Sequence, residues 1–174
     1  MLIMNMKDGV LYDVAAQEAE RREILRLLES LNLSALLSRA SHLRNGISCY
    51  SPRPLIYDRL TCSTVMGRMN YHIEILFVDG VRWIARIRRF NATSPPPDLR
   101  NYIMRGEVAT LQLLSQTKIP TPKVFDYGIH GQTAVGVGYI LMEKLPRKSL
   151  RWPLASSEQR AKVMSQLAGV YIEL

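Results

Sequence analysis

The chain has few of the residues that bind metals or form disulfides. It contains two cysteines, Cys49 and Cys62, and three histidines among 174 residues. The cysteines lie far apart, form no C-x-x-C pair and have no histidines at ligand spacing. This pattern argues against a zinc site or a redox motif, so we expect two free thiols in a reducing compartment and no metal site.

Long apolar runs are also missing. No stretch approaches the roughly 20 apolar residues that a membrane-spanning helix needs. The amino-terminal MLIMNMKDGVLYDV has too short an apolar stretch for a secretory signal, and its Asp8 and Asp13 do not suit an acid-poor transit peptide. We therefore predict a cytoplasmic protein with no membrane partner.

Acidic residues are outnumbered by basic ones. Lysine and arginine total 23 against 15 aspartates and glutamates, which gives a formal charge of +8. Such an excess suits an acidic partner, for example nucleotide phosphates, nucleic acid or an anionic surface. The basic residues are scattered, without a run of five or six like charges or a nucleic-acid motif, so a dedicated DNA- or RNA-binding module is not expected.

What the chain does contain is a clear sequence of periodic segments. From Asp13 to about Arg44 the apolar spacing predicts helices, with a break near Asn32 and Ser34 and a stop at Asn45-Gly46. The segment ISCYSPRPLIYDRL contains two prolines, and we predict an irregular connection there.

The apolar period then changes from that of a helix to that of a strand. YHIEILFV and VRWIARIR alternate apolar and polar residues on either side of Asp79-Gly80, which predicts a β-hairpin with a type I′ turn. The second strand puts Arg86 and Arg88 on the face opposite Trp83, Ala85 and Ile87. With a further strand near residues 60–64, residues 58–88 are predicted to form a three-stranded antiparallel meander.

Helix signals follow the proline-rich SPPPDL. Asp98 is predicted as the N-cap of a helix from Leu99 to Gln116. Its predicted core face carries Leu99, Ile103, Leu111 and Leu114, with Val108 alongside.

The last third of the sequence predicts two strands and a helix. IPTPKVFDYG is predicted as a turn and a strand, and the nearly continuous apolar VGYILMEKL as a second strand. A capping box from Ser156 to Gln159 then opens a helix, whose apolar stripe comprises Val163, Leu167, Tyr171 and Leu174.

This order resembles the amino-terminal lobe of the aminoglycoside phosphotransferase family, in the style of its fungal branch. The resembling stretches are CSTVMGRMNYHIEILFVDGVRWIARIRRF, LRNYIMRGEVATLQLL, IPTPKVFDYG and GVGYILMEKLPRKSL, which together cover about residues 58–150. The resemblance implies an α+β, protein-kinase-like lobe in which an antiparallel sheet packs against one helix. It also implies three parts: a helical extension and connection (1–57), the lobe with its hinge (58–150), and the first helix of a truncated carboxyl-terminal lobe (151–174).

The resemblance gives Arg86 and Glu107 a role in nucleotide binding. Kinase-like proteins use a basic residue of the third strand to contact the α and β phosphates of ATP, and a helix glutamate holds it by an ion pair. Arg86 and Glu107 match these positions, although lysine is usual at the first. A register shift of two would exchange Arg86 with Arg88, and a solvated ion pair with Glu107 is the simpler alternative for either arginine.

Four further residues are assigned to the nucleotide by the same resemblance. Gly67, in the loop STVMGRMNY, belongs to the segment that covers the phosphates with backbone N–H groups. Met142 is placed at the back of the adenine pocket. The carbonyl of Glu143 and the N–H of Leu145 are the expected partners of the adenine edge.

The residues that catalyse phosphoryl transfer in this fold are not found in the chain. FDYG at 125–128 imitates a metal-binding motif but precedes the hinge strand. HGQ at 130–132 imitates the start of a catalytic loop, but Gln132 cannot accept a proton as an aspartate would, and no asparagine stands at the metal-ligand spacing. We expect both to be loop residues flanking a strand. We therefore expect an ATP-binding fragment that is inactive by itself and whose small-molecule acceptor is unknown. Mg²⁺ would be required only with a second lobe. The alternative is a pseudokinase-like module that binds a protein or another acidic partner without catalysis.

Overall fold

The chain folds into helices on both sides of one antiparallel sheet. The structure, a computed structural model, describes residues 6–57, 69–91, 94–146 and 151–173, with side chains of the first helix from residue 13. Within these ranges the helices are α1 (Met6–Ser30), α2 (Leu33–His42), α3 (Pro97–Leu114) and α4 (Ser157–Glu173). The strands are β1 (Cys49–Tyr50), β2 (Asn70–Phe77), β3 (Arg82–Arg88), β4 (Val124–Gly128) and β5 (Tyr139–Glu143). They lie in the order β1-β2-β3-β5-β4, and the fold is a mixed α+β one, as expected.

The predicted β-hairpin is confirmed by strands β2 and β3. They pair antiparallel, with Tyr71 opposite Ile87. Burial alternates along both strands, so Trp83, Ala85 and Ile87 are buried while Arg86 and Arg88 lie on the other face. The alternation in the sequence therefore identified the two faces of the sheet correctly.

The turn of this hairpin differs from the predicted type I′ turn. A type I′ turn needs a positive φ at both central residues. Gly80 has a φ of 85°, but Asn45 is the only non-glycine with positive φ in the described residues, so Asp79 has none. The carboxylate of Asp79 instead accepts the N–H of Val81 at 3.2 Å and both Nη atoms of Arg44. These contacts fix a three-residue loop, 78–80, in which only the glycine is left-handed.

Helices α1 and α2 cover one face of the sheet. The predicted break between them lies at residues 31–32, where the side chain of Asn32 accepts the N–H of Ala35 at 3.0 Å. Asn45 and Gly46 follow α2 with φ values of 55° and 85°, as the stop signal predicted. One hydrophobic cluster contains helix residues together with sheet residues: Ile24, Leu27, Leu36, Ala40, Tyr71, Ile73, Ile75, Phe77, Trp83, Ala85, Ile87 and Leu141. Residues of the predicted extension thus form part of the main core.

A buried arginine fastens α1 to the end of β3. The side chain of Arg89 is 8% exposed, and its Nε donates to Glu23 at 2.8 Å. Its Nη2 also donates to Glu20 at 3.2 Å. Burial of a guanidinium group is costly unless its charge is paired, so these two carboxylates stabilise the position of α1 against the sheet.

Helix α3 covers part of the second face, in a different orientation from the predicted one. Its first residue is Pro97, whose fixed φ suits a helix start, so Asp98 lies within the first turn and is not the N-cap. Leu99, which was predicted in the core, is 48% exposed. Met104 and Val108 are the buried residues of α3, and they pack with Ile129, Ile140 and Met142.

The segment predicted as an irregular connection contains the short edge strand β1. Cys49 and Tyr50 pair with Phe77 and Leu76 of β2. Cys49 is a half-buried free thiol that donates to the carbonyl of Leu37 at 3.3 Å. Burial raises the pKa of this thiol. Cys62 and the strand predicted near residues 60–64 lie outside the described residues.

Helix α4 begins with the predicted capping box. The N–H of Gln159 donates to Oγ of Ser156 at 3.2 Å, and the N–H of Ser156 donates to Oε1 of Gln159 at 2.9 Å. No described residue of α4 is buried, and Leu167 and Tyr171 of the predicted stripe are 46% and 77% exposed. Leu174 lies outside the described residues. None of the described helices is both long and apolar enough to cross a membrane.

Candidate functional site

An ion pair joins the central strand to α3 on the second face of the sheet. Nη2 of Arg86 donates to Oε2 of Glu107. Nη1 of Arg88 lies 3.6 Å from Oε1 of the same carboxylate. The side chains of Arg86, Arg88 and Glu107 are 22%, 17% and 33% exposed. Glu107 is therefore shared by two partly buried arginines, and the predicted pairing of Arg86 with Glu107 is present.

The local structure explains why these three side chains meet. Arg86 and Arg88 are two residues apart on β3, so both point to the face on which α3 packs. Glu107 is three residues after the buried Met104 and four before the half-buried Leu111, so it lies on the sheet-facing side of the helix. The ion pair is thus placed by the same packing that buries Met104.

An apolar surface adjoins the ion pair. Ile84 and Met142 are directly opposite each other on β3 and β5. Met142 is 7% exposed and belongs to the core under α3, and Ile84 is half-buried beside it. Ile84 precedes Arg86 by two residues and lies on the same face, so an apolar patch and a cationic group are neighbours here.

The predicted adenine-edge residues lie just beyond Met142. Glu143 donates its N–H to the carbonyl of Lys123 at 2.8 Å, and its carboxylate accepts the N–H of Lys123 at 3.3 Å. Leu145 is 43% exposed. Gly67 lies outside the described residues.

A second group of charges on this face was missed by the sequence reasoning. Glu74 of β2 accepts from Nζ of Lys144 at 2.6 Å and from Nη1 of Arg82 at 3.4 Å. Glu74 lies opposite Ile84, so this pair spans the sheet at the edge of the apolar patch. The alternation of β2 in the sequence predicted the face on which Glu74 lies. Nothing in the sequence indicated that Lys144, which follows β5, would bind it.

Arg100 is the other residue that sequence reasoning missed. Its Cζ atom lies 4.1 Å from the ring centroid of Phe90. Its Nε is buried and has no hydrogen-bond partner among the described residues. With Arg86, Arg88 and Glu107 it lines a narrow gap of about 10 Å³ between β3 and α3.

The aspartate of FDYG, Asp126, makes structural contacts on the opposite face of the sheet. Asp126 was expected in a loop that flanks a strand, but it lies within β4. Its carboxylate accepts from Nε and Nη2 of Arg39 at 2.7 and 3.2 Å and from the hydroxyl of Tyr139 at 3.0 Å. The second imitation motif, at 130–132, lies in a turn. Within the described ranges no three His, Cys, Asp or Glu side chains cluster as a metal site would require.

The surroundings of Asp126 and Tyr139 shift the pKa values of both groups. Burial raises the pKa of Asp126, but hydrogen bonds from Arg39 and Tyr139 outweigh it, and the net pKa lies below the usual value. Burial and the hydrogen bond to Asp126 raise the pKa of Tyr139 to about 12. The tyrosine therefore remains a protonated donor throughout the physiological range.

The comparisons with known proteins give a partial match. No protein-family model matches the sequence, and no solved structure matches it. Two proteins of Aspergillus fumigatus, from different strains and each named subtelomeric hrmA-associated cluster protein, are 37% identical to it over 105 residues. The aligned region is 59% of this chain and 20% of each relative. The chain thus spans about a fifth of the length of the curated relatives that it matches.

Proposed function

We propose that residues 58–150 form the nucleotide-binding lobe of a small-molecule kinase of the aminoglycoside-phosphotransferase type, with ATP as the nucleotide. The observation that carries the proposal is the ion pair between Arg86 of β3 and Glu107 of α3. A phosphate-binding arginine must be held in one orientation while some of its N–H donors stay available to the phosphate. Glu107 engages one edge of the Arg86 guanidinium group, and 22% of the arginine side chain remains exposed.

The neighbouring residues support a purine beside these phosphates. Ile84, half-buried beside the buried Met142, supplies an apolar surface next to Arg86, as a base requires. Beyond Met142, the Glu143 carbonyl and the Leu145 N–H are proposed as hydrogen-bond partners of the adenine edge. These contacts use main-chain atoms, so they do not depend on which side chains stand there.

Phosphoryl transfer requires more than this lobe supplies. The reaction needs a catalytic aspartate and metal ligands, which the resemblance assigns to a second lobe. The aligned region makes up 20% of each curated relative, so those proteins have room for further domains. We propose that the described residues bind ATP and that both Mg²⁺ binding and the acceptor alcohol or amine depend on residues outside them.

The test compares ATP with adenosine by calorimetric titration. Arg86→Ala is expected to weaken ATP binding by about tenfold to a hundredfold, since a hydrogen bond to a charged group contributes roughly 1.5 to 3 kcal/mol. Adenosine binding should scarcely change, because adenosine has no phosphate. Glu107→Gln should weaken ATP binding to a smaller extent, since Glu107 acts by holding Arg86.

Arg82→Ala provides the matched control for this experiment. Arg82 lies on the same face of the same strand, and removing it changes the net charge equally. It is expected to leave ATP affinity within about twofold. Equal affinity of the wild-type protein for ATP and adenosine, or an equal loss in Arg82→Ala and Arg86→Ala, would contradict the proposal.

A further inference from the structure

Three guanidinium groups converge near a single carboxylate between β3 and α3. Arg86 and Arg88 come from the strand, and Arg100 comes from the first turns of the helix. Glu107 is the only acidic residue that lines the gap between them in the described part of the chain. The cluster therefore has two positive charges in excess, which repel one another in a partly buried setting.

The three arginines differ in how fully they are engaged. Arg86 is hydrogen-bonded to Glu107. Arg88 is 3.6 Å from the same carboxylate, which is longer than a hydrogen bond. Arg100 has a buried Nε without a partner among the described residues, and its contact with the ring of Phe90 holds the guanidinium group in place. Arg88 and Arg100 thus retain donors that a bound anion could use.

The spacing of these groups suits a chain of phosphates better than a single one. Residues two apart on a strand are about 6.6 Å apart, which is more than one phosphoryl group covers. The gap itself, at about 10 Å³, has room for roughly one water molecule, so an anion would lie across the exposed edges of the guanidinium groups. Guanidinium forks bind phosphate oxygens in pairs, which favours arginine for this purpose.

We infer that Arg86, Arg88 and Arg100 form a polyphosphate-binding cluster, in which Arg88 and Arg100 contact the phosphates together with Arg86, which Glu107 holds in place. This inference rests on the proposed function for the source of the phosphates, a nucleoside di- or triphosphate. The cluster chemistry itself is shared with inorganic tripolyphosphate, so the two sources can be separated by experiment.

The experiment titrates the full chain with ATP, ADP, AMP, adenosine and tripolyphosphate. ATP and ADP are expected to bind more tightly than AMP, because only they reach two or more arginines. Arg88→Ala and Arg100→Ala should each weaken ATP and ADP about tenfold and leave adenosine within twofold. Both variants should also reduce the dependence of ATP affinity on salt, since each removes a charge from the anion site.

Arg105→Ala is the control within α3, because Arg105 is exposed and does not line the gap. It should leave all five affinities unchanged. Arg88→Lys and Arg100→Lys keep the charge, so each should recover part of the ATP affinity, even where the alanine variant folds poorly. A loss of ATP affinity in Arg105→Ala equal to that in Arg100→Ala would contradict a localised site.

The tripolyphosphate arm separates the two hypotheses. One outcome is that tripolyphosphate binds through Arg88 and Arg100 with the same affinity as ATP. In that case the polyphosphate cluster stands and the proposed nucleotide function fails, because the adenosine part of ATP contributes nothing to binding. If ATP binds but Arg88 and Arg100 variants, including the lysine forms, bind it as the wild type does, the cluster is overturned and Arg86 alone remains. Absence of binding for both ATP and tripolyphosphate would overturn both.

Discussion

Asp126 is a residue whose sequence surroundings suggest metal chemistry and whose contacts are structural. Its carboxylate joins Arg39 of α2 to Tyr139 of β5. Asp126→Asn keeps the shape of the side chain but removes its charge, so we expect the free energy of unfolding to fall by about 1 to 3 kcal/mol. Urea denaturation measures this. Asp79→Asn, at a more exposed carboxylate that pairs with Arg44, should cost less.

The stability that Asp126 contributes should depend on pH. Its pKa is lowered in the folded protein, so its contribution is fully present above the unfolded pKa of about 3.9 and is lost as the pH falls through the folded value. The difference in unfolding free energy between wild type and Asp126→Asn should therefore be constant between about pH 6 and 8 and shrink below about pH 4. A difference that grows on acidification would contradict this assignment.

Some residues of the candidate site were foreseeable and others were not. The alternation of β3 placed Arg86 and Arg88 on one face, and the family resemblance paired Arg86 with Glu107. Arg100 was missed, although it lies four residues before Met104 and seven before Glu107 and therefore on the same face of α3. Its contact with Phe90 had no signal in the sequence. Leu99 is exposed, although it was predicted as a core residue, because α3 turns the face that carries Met104 and Val108 towards the sheet.

At the scale of elements, the loop before β5 is packed against the break between α1 and α2. Asn32 donates its N–H to the carbonyl of Val135 at 2.9 Å. Gly136 has a φ of 80°, and a Cβ built on it would collide with the carbonyl oxygen of Ser30. Only glycine allows this close approach of two backbones.

Substitution of two glycines tests how tightly this contact is packed. Gly131→Ala should cost about 1 to 2 kcal/mol of stability, because Gly131 also has a positive φ but faces open space. Gly136→Ala should cost about 1 to 3 kcal/mol more, since it adds overpacking. Thermal or urea unfolding of both variants gives the comparison. Equal losses would indicate that the loop moves away from α1 without penalty.

The elements themselves were predictable where a local pattern specifies them. The hairpin, the capping box and the break at Asn32 each depend on neighbouring residues and were confirmed. Strand β1 has two residues and is defined only by its pairing with β2, so no local period could reveal it. The hairpin turn was mispredicted because Arg44, from a distant helix end, binds Asp79.

At the scale of the whole molecule, the helices contribute unequally to the core. Deleting residues 1–44 should expose the buried face of β2 and β3, and we expect the product to aggregate. Deleting residues 151–174 removes α4, none of whose described residues is buried, and should leave a folded protein. Sedimentation and circular dichroism distinguish these outcomes. A soluble, folded product of the first deletion would show that the sheet is stable without α1 and α2.

Strand β3 has consequences for how this gene can vary. Alternate residues of the strand belong to the core and to the candidate site, so Ala85 and Ile87 are interleaved with Arg86 and Arg88. A substitution affects either the core or the candidate site. The insertion or loss of a single codon would instead turn the core residues of part of the strand to the site face and the site residues to the core face. Reading-frame-preserving insertions and deletions should therefore be eliminated by selection here, while they are tolerated in the exposed turn at residues 130–132. Across descendants of this gene, the length of the strand should change less than its composition.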